Sequence, residues 1–136
     1  MYERDYIMRM IAAFAKMIAA IIGLREKGEL DKARKLVEEA YDRILRVDAG
    51  EIKKFDEAQW KQFCIKRSPE ELEMLADLLK AEGEFPVDSG NAREAGQLLL
   101  KALELLKLVD AQSASFSITR LEKISELEQK LSGSAF

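Results

Sequence analysis

Apolar residues recur at three- and four-residue steps along nearly the whole chain, a period that selects helices over strands. Ile7, Met10, Ile11, Phe14, Met17, Ile18, Ile21 and Ile22 form one continuous stripe on a helix expected over residues 3–27. Ala12, Ala13, Ala15, Ala19, Ala20 and Gly23 make a second, small-residue face, so this helix can be packed on two sides. Gly28 is placed to end it, with Arg25 and Lys27 set favourably against the negative end of the helix dipole. Leu30, Ala33, Leu36, Val37, Ala40, Tyr41, Ile44 and Leu45 carry a second helix to about Val47, which Asp48, Ala49 and Gly50 close. The short link at Gly28 and Glu29 makes the pair an antiparallel hairpin.

The middle of the chain is less regular. Asp56 is a candidate N-cap for a short inserted helix within 52–66, with Trp60, Phe63 and Cys64 on one side. Ser68, Pro69 and Glu71 then combine an N-cap, a first-position proline and a capping-box glutamate. The helix they start buries Leu72, Leu75, Ala76, Leu78 and Leu79 and stops at Gly83, before a loop over 84–89 that contains Pro86. A partner over 91–109 carries Ala95, Leu98, Leu99, Ala102, Leu103, Leu105 and Leu106, completing a second hairpin over 69–109. A last helix over 117–131 places Ile118, Leu121, Ile124, Leu127 and Leu131 on one face. All of this is expected in one domain spanning residues 1–136, with the first hairpin over 3–47.

Composition narrows the function more than it identifies one. Apolar residues make up 48% of the 136, charged residues 35%, and the net charge is −3, which suits a globular helical protein and offers no field for nucleic acid or an anionic membrane. Neither is expected as a partner. Glu3 and Asp5 lie where a signal peptide needs positive charge, and Lys16 interrupts the apolar run after them, so the first helix is expected to be buried in a cytoplasmic protein. Cys64 is the only cysteine, which agrees with a reducing compartment.

The chain has no histidine. That removes imidazole-based nucleophilic catalysis, imidazole metal ligands and the commonest general base. Cys64 alone builds no thiolate metal site and reads as a small buried hydrophobe. No cofactor or metal is expected. Glu38, Glu39, Glu70, Glu71 and Glu73 fall at helix starts and on polar faces, where solvation and the helix dipole account for them. The glycines stand singly and mark turns, except Gly96, which falls inside a helix and is expected to allow close backbone packing. Lys53, Lys54, Lys61, Lys66 and Arg67 surround Trp60 and Phe63; the aromatics keep core spacing, so the cluster reads as a solvated face rather than a polyanion site.

Leu24, Gly28, Leu30, Ala33 and Ala40 in the first hairpin resemble the tetratricopeptide repeat. So do Leu72, Leu75, Ala76, Leu79, Gly83, Ala95, Ala102, Leu103, Glu104 and Leu105 in the second. The distance from Ala33 to Ala95 exceeds that repeat's period of about 34 residues, so the resemblance is to a divergent two-hairpin relative. It implies an all-α fold in which TPR-like antiparallel hairpins form a short superhelix with a C-terminal helix; a plain helical bundle is the competing architecture. Some such proteins hold a partner's terminal carboxylate with lysine and asparagine. The matching positions here are Ile18, Ile22, Glu73 and Asp77, which imply a groove apolar at one end and acidic at the other. The whole chain is also similar to an uncharacterised bacterial family through Tyr6 to Met10, Met74 to Leu79 and Phe116 to Arg120, a likeness that implies no activity.

The expected function is therefore non-catalytic: a module that binds a protein or peptide in a groove containing Ile18, Ile22, Glu73 and Asp77. The first alternative is a homodimer joined through Tyr6, Ile7, Met10 and Ile11. The second is an enzyme using carboxylates in a central pocket.

Overall fold

A computed structural model describes residues 2–86 and 92–133. Part of the expected 84–89 loop and the expected helix start at Asn91 lie outside these residues. Seven helices and no strand are present among the described residues: α1 (Tyr2–Glu26), α2 (Leu30–Arg43), α3 (Ala49–Ile52), α4 (Glu57–Ile65), α5 (Pro69–Gly83), α6 (Ala92–Gln112) and α7 (Ile118–Gly133). The fold is all-α.

The helix starts follow their local chemistry. Ser68 Oγ accepts a bond from the Glu71 N–H at 3.1 Å, and Glu71 Oε1 accepts one from the Ser68 N–H at 3.2 Å. Asp56 and Gln59 close the same reciprocal box on α4 at 2.8 and 3.0 Å. Both boxes satisfy N–H groups that a first turn otherwise leaves unpaired. Gly28 ends α1 at φ +78, a left-handed conformation that glycine adopts without Cβ strain.

The second helix is shorter than its apolar pattern predicts. It stops at Arg43, because the Val47 N–H turns back to the Tyr41 carbonyl at 3.1 Å across Arg46, whose φ is 53. Asp48 then starts a helix instead of closing one, its carboxylate accepting the Glu51 N–H at 3.0 Å. The inserted segment is thus two short helices, α3 and α4.

Neighbouring helices touch in a simple order. The α1–α2 hairpin lays both its helices on α5, α5 pairs with α6, and α6 pairs with α7. Arg25 at the end of α1 meets Glu84 at the C-cap of α5 at 3.4 Å, so α1 and α5 run in the same direction. The core is continuous through Val37, Ala40 and Tyr41 of α2, Leu72, Leu75 and Leu79 of α5, and Ala102, Leu105 and Leu106 of α6. The buried Tyr41 hydroxyl donates to Glu82 Oε1 at 2.9 Å, and Lys53 pairs with the other carboxylate oxygen. Burial, then the charge and hydrogen bond of Glu82, push the Tyr41 phenol well above its usual range.

Three packing expectations are corrected. The first helix is not a buried helix: Phe14 and Ile21 are its buried residues, and only 11% of its most apolar stretch is covered. Its stripe is wider than the one side that meets α2 and α5. On α7, Leu127 is buried but Ile118 is 63% and Leu121 38% exposed, because the start of that helix is held by charge. The close backbone approach is at Gly83, not Gly96. A Cβ at Gly83 would meet Leu99 Cδ2 at 2.9 Å and the Ala95 carbonyl oxygen at 3.1 Å, whereas Gly96 has open space around it.

The two glycines therefore respond in opposite directions to alanine. Gly83→Ala is expected to cost about 1–3 kcal/mol through overpacking of the α5–α6 contact. Gly96→Ala is expected to add up to about 1 kcal/mol from helix propensity. Urea unfolding midpoints of the two variants against wild type measure both.

Candidate functional site

The fold leaves a trough between α1 and α5. Its volume is about 500 Å³, and its lining includes Ile11, Phe14, Ala15, Ile18, Ala19 and Ile22 from α1. From α5 come Glu70, Glu73, Met74 and Asp77, and from α7 only Lys123. Ile18, Ile22, Glu73 and Asp77, expected together from the tetratricopeptide resemblance, share one groove. They lie on facing walls, apolar on α1 and acidic on α5, rather than at its two ends.

Helix periodicity explains the partition. Phe14 and Ile21 are two turns apart and enter the core; Ile11, Ile18 and Ile22 sit one step further round and face the trough. On α5 the core-facing positions are taken by leucine and alanine, so the carboxylates occupy its remaining face. Glu73, Asp77, Lys80 and Glu84, at alternating four- and three-residue steps, form a polar strip along it.

That strip is where α7 docks. Lys123 reaches Glu73 at 3.3 Å and Asp77 at 3.0 Å. Arg120 donates to Glu73 Oε1 at 3.4 Å, to Asp110 Oδ1 of α6 at 3.0 Å and to the Ser115 carbonyl at 3.2 Å. Further along, Lys80 meets Glu126 at 3.2 Å, and Lys130 pairs with Glu84. Burial drives the Asp77 carboxyl above its usual value, with Lys123 opposing the rise. Desolvation pulls Lys123 down, but Asp77 and then Glu73 outweigh it and its pKa ends above 10.5.

Sequence periodicity gave Arg120 no role, although a signal was present. A cation in the first turn of a helix opposes the dipole, so Arg120 there needs a compensating carboxylate, and it has two. It is buried to 6% exposure and lies at the junction of α5, α6 and α7.

The other sequence candidates fall elsewhere. Tyr6, Ile7 and Met10 line a separate depression of about 390 Å³ with Ile44, Arg46, Arg67, Ser68 and Glu71. Ile11 belongs to the α1–α5 groove instead. Tyr6 is 51% and the neighbouring Met8 58% exposed. Helix α1 is also long and apolar enough, from Arg4 to Glu26, to cross a membrane. Phe14 and Ile21 tie it into the helical core here.

Cys64 is half-buried rather than buried. Burial raises its thiol pKa against the pull of Lys101, the reverse of what activates a thiolate. The basic residues near Trp60 are in part used internally. Lys53 pairs with Glu82, Arg67 binds Glu71 and the Leu45 carbonyl, and the Arg67 guanidinium lies 4.5 Å from the Phe63 ring centre. Among the described residues, no cluster of histidine, cysteine, aspartate or glutamate is arranged to hold a metal ion. No protein-family model, curated protein or solved structure matches the chain.

Lys123→Met should loosen α7 and lower stability by about 1–2 kcal/mol, as expected for a partly buried ion pair. Because the lysine's folded pKa lies above 10.5, its contribution is fully present below pH 10.5. It is lost as pH rises through the raised value. In urea titrations from pH 7 upward, the gap between wild type and Lys123→Met is expected to hold steady and then close above pH 10.5.

Proposed function

We propose that the protein is a non-catalytic, cytoplasmic interaction module that grips a segment of a partner protein in the α1–α5 groove. The observation that carries this reading is the groove itself. Along it Ile11, Ala15 and Ala19 of α1 are exposed and Ile18 and Ile22 are half-buried, and a polar wall stands opposite. Monomeric proteins seldom leave a contiguous apolar surface of this kind without a use for it.

The order of helix contacts supports a TPR-like arrangement. In that reading α1 and α5 are the first helices of two successive hairpins and lie side by side on the inner face, α2 and α6 lie behind them, and α7 caps the stack. The missing imidazole and the outward-facing or paired carboxylates favour binding over acid–base chemistry.

Ala15 and Ala19 test the groove better than Glu73 or Asp77, because changing either acid also releases α7. Ala19→Arg, at an exposed groove position, fills the trough while leaving Phe14 and Ile21 in the core. It is expected to keep wild-type helicity and to abolish cross-linked recovery of the partner from native cells. Recovery unchanged by Ala19→Arg would refute the groove as the binding site.

Exposure of Tyr6, Met8 and Ile11 along one helix favours a second reading, in which two copies bury the start of α1 together. Charged replacement of Ile7 and Ile11 should then halve the mass measured by light scattering. A wild-type mass equal to one chain removes this reading.

A further inference from the structure

We infer that the occupant of the α1–α5 groove is a basic amphipathic helix of a partner protein, its apolar stripe on Ile11, Ile18 and Ile22 and its lysines or arginines against Glu70, Glu73 and Asp77. This rests on the groove reading above and names the chemistry of the ligand.

The backbone of the walls selects a helix. Both walls are α-helices whose amides and carbonyls bond within themselves, so an extended peptide would find no open edge to pair with. A helix brings its own backbone already satisfied. Two parallel helices also leave a trough into which side-chain ridges of a third can pack, at axis separations of about 8–10 Å.

The spacing of the walls selects the pattern on that helix. Ile11, Ile18 and Ile22 repeat at seven and four residues, one ridge of a helix surface. Glu70, Glu73 and Asp77 repeat at three and four, which sets them about 4.5 and 6 Å apart along the α5 axis. Cations one turn apart on a facing helix match that interval.

Charge selects a basic partner. The groove is lined by three carboxylates, Glu70, Glu73 and Asp77, and one cation, Lys123; Arg120 also reaches Glu73 and Lys80 acts on Asp77, which leaves Glu70 the carboxylate without a cation among these. Glu70 is exposed at the start of α5, within reach of an incoming side chain. Lys123 already occupies part of the acidic wall from α7, as a partner's lysine would.

A second copy fits less well. On α1 the cations Arg9 and Lys16 each lie two residues from Ile11 or Ile18, about 200° round the helix. Another copy's α1 therefore cannot present its apolar stripe and these cations to one groove. An anionic bilayer meets the carboxylate wall with charge of the same sign.

The test uses three fluorescent synthetic helices of about 18 residues, five turns long. They share one leucine–alanine stripe and differ in flanks of lysine, glutamine or glutamate. Binding is read by anisotropy at low and moderate salt against the whole protein. The lysine-flanked helix is expected to bind at least tenfold more tightly than the glutamate-flanked one, roughly the effect of placing like charges together. Salt should narrow that gap. Glu70→Gln, at an exposed position, is expected to weaken the lysine helix about threefold, the scale of one rim ion pair.

Equal binding of the three helices, lost in Ala19→Arg, would overturn the basic partner and leave the groove standing. Binding untouched by Ala19→Arg, or none at all, would overturn both. A two-chain mass in sedimentation that Ala19→Arg reduces to one makes a second copy the occupant. Uptake by phosphatidylserine vesicles makes it a membrane; either result overturns the proposal.

Discussion

Helix α5 is the constraint on which the rest of the structure depends. It packs against α1, α2 and α6, and eight of its fifteen residues, from Leu72 to Gly83, are buried. A helix with neighbours on three sides needs an almost entirely apolar circumference, and Leu72, Met74, Leu75, Ala76, Leu78 and Leu79 supply it. Alanine and glycine at 76, 81 and 83 set how closely the neighbours come; Gly83 is the tightest point, against Leu99 and the Ala95 carbonyl. Start and finish are fixed with the same economy, by the Ser68–Glu71 box and by a C-cap carboxylate, Glu84, that holds Arg25 of α1.

One side of α5 remains polar, and two tasks converge on it. The strip through Glu73, Asp77, Lys80 and Glu84 binds the charged side of α7, whose apolar side buries Leu127 and half-buries Ile124 and Leu131. The same Glu73 and Asp77 form the acidic wall of the groove. Docking of α7 and the electrostatics of the groove are therefore one set of charges. Asp77 shows the tension directly: its burial favours the protonated acid, and Lys123 is what keeps the carboxylate form affordable.

Much of this was legible in the residues. The stops at Gly28 and Gly83, the N-cap at Asp56, the capping box at Ser68 and the core of α5 and α6 followed from short-range rules, because caps and periodicity act within a turn or two. The tetratricopeptide resemblance also put Ile18, Ile22, Glu73 and Asp77 together, and they share a groove. What was not legible depended on contacts distant in sequence. The early end of α2 is set by a backbone bond from Val47 to Tyr41, where side-chain pattern alone would have carried the helix on. The apolar stripe of α1 could not reveal that only Phe14 and Ile21 would be fully buried, since hydrophobicity does not say how many neighbours a helix will have. Arg120 was passed over because its carboxylate partners come from two other helices.

The width of the α1 stripe joins fold to function. A helix that needs to satisfy only α2 and α5 can do so with the ridge of Phe14 and Ile21 and a few half-buried neighbours such as Met17 and Leu24. Ile11, Ile18 and Ile22 extend that surface by one more step round the helix, where the fold covers Ile18 and Ile22 in part and leaves Ile11 exposed. On the opposing wall, the sequence changes from leucine to carboxylate at the very positions where α5 turns from the core to the trough. An apolar ridge and an acidic ridge facing each other across an unfilled space are poorly suited to packing against one another. They are well suited to a third helix with one apolar face and one basic edge, and that complementarity links the extra isoleucines to the carboxylates in a single account.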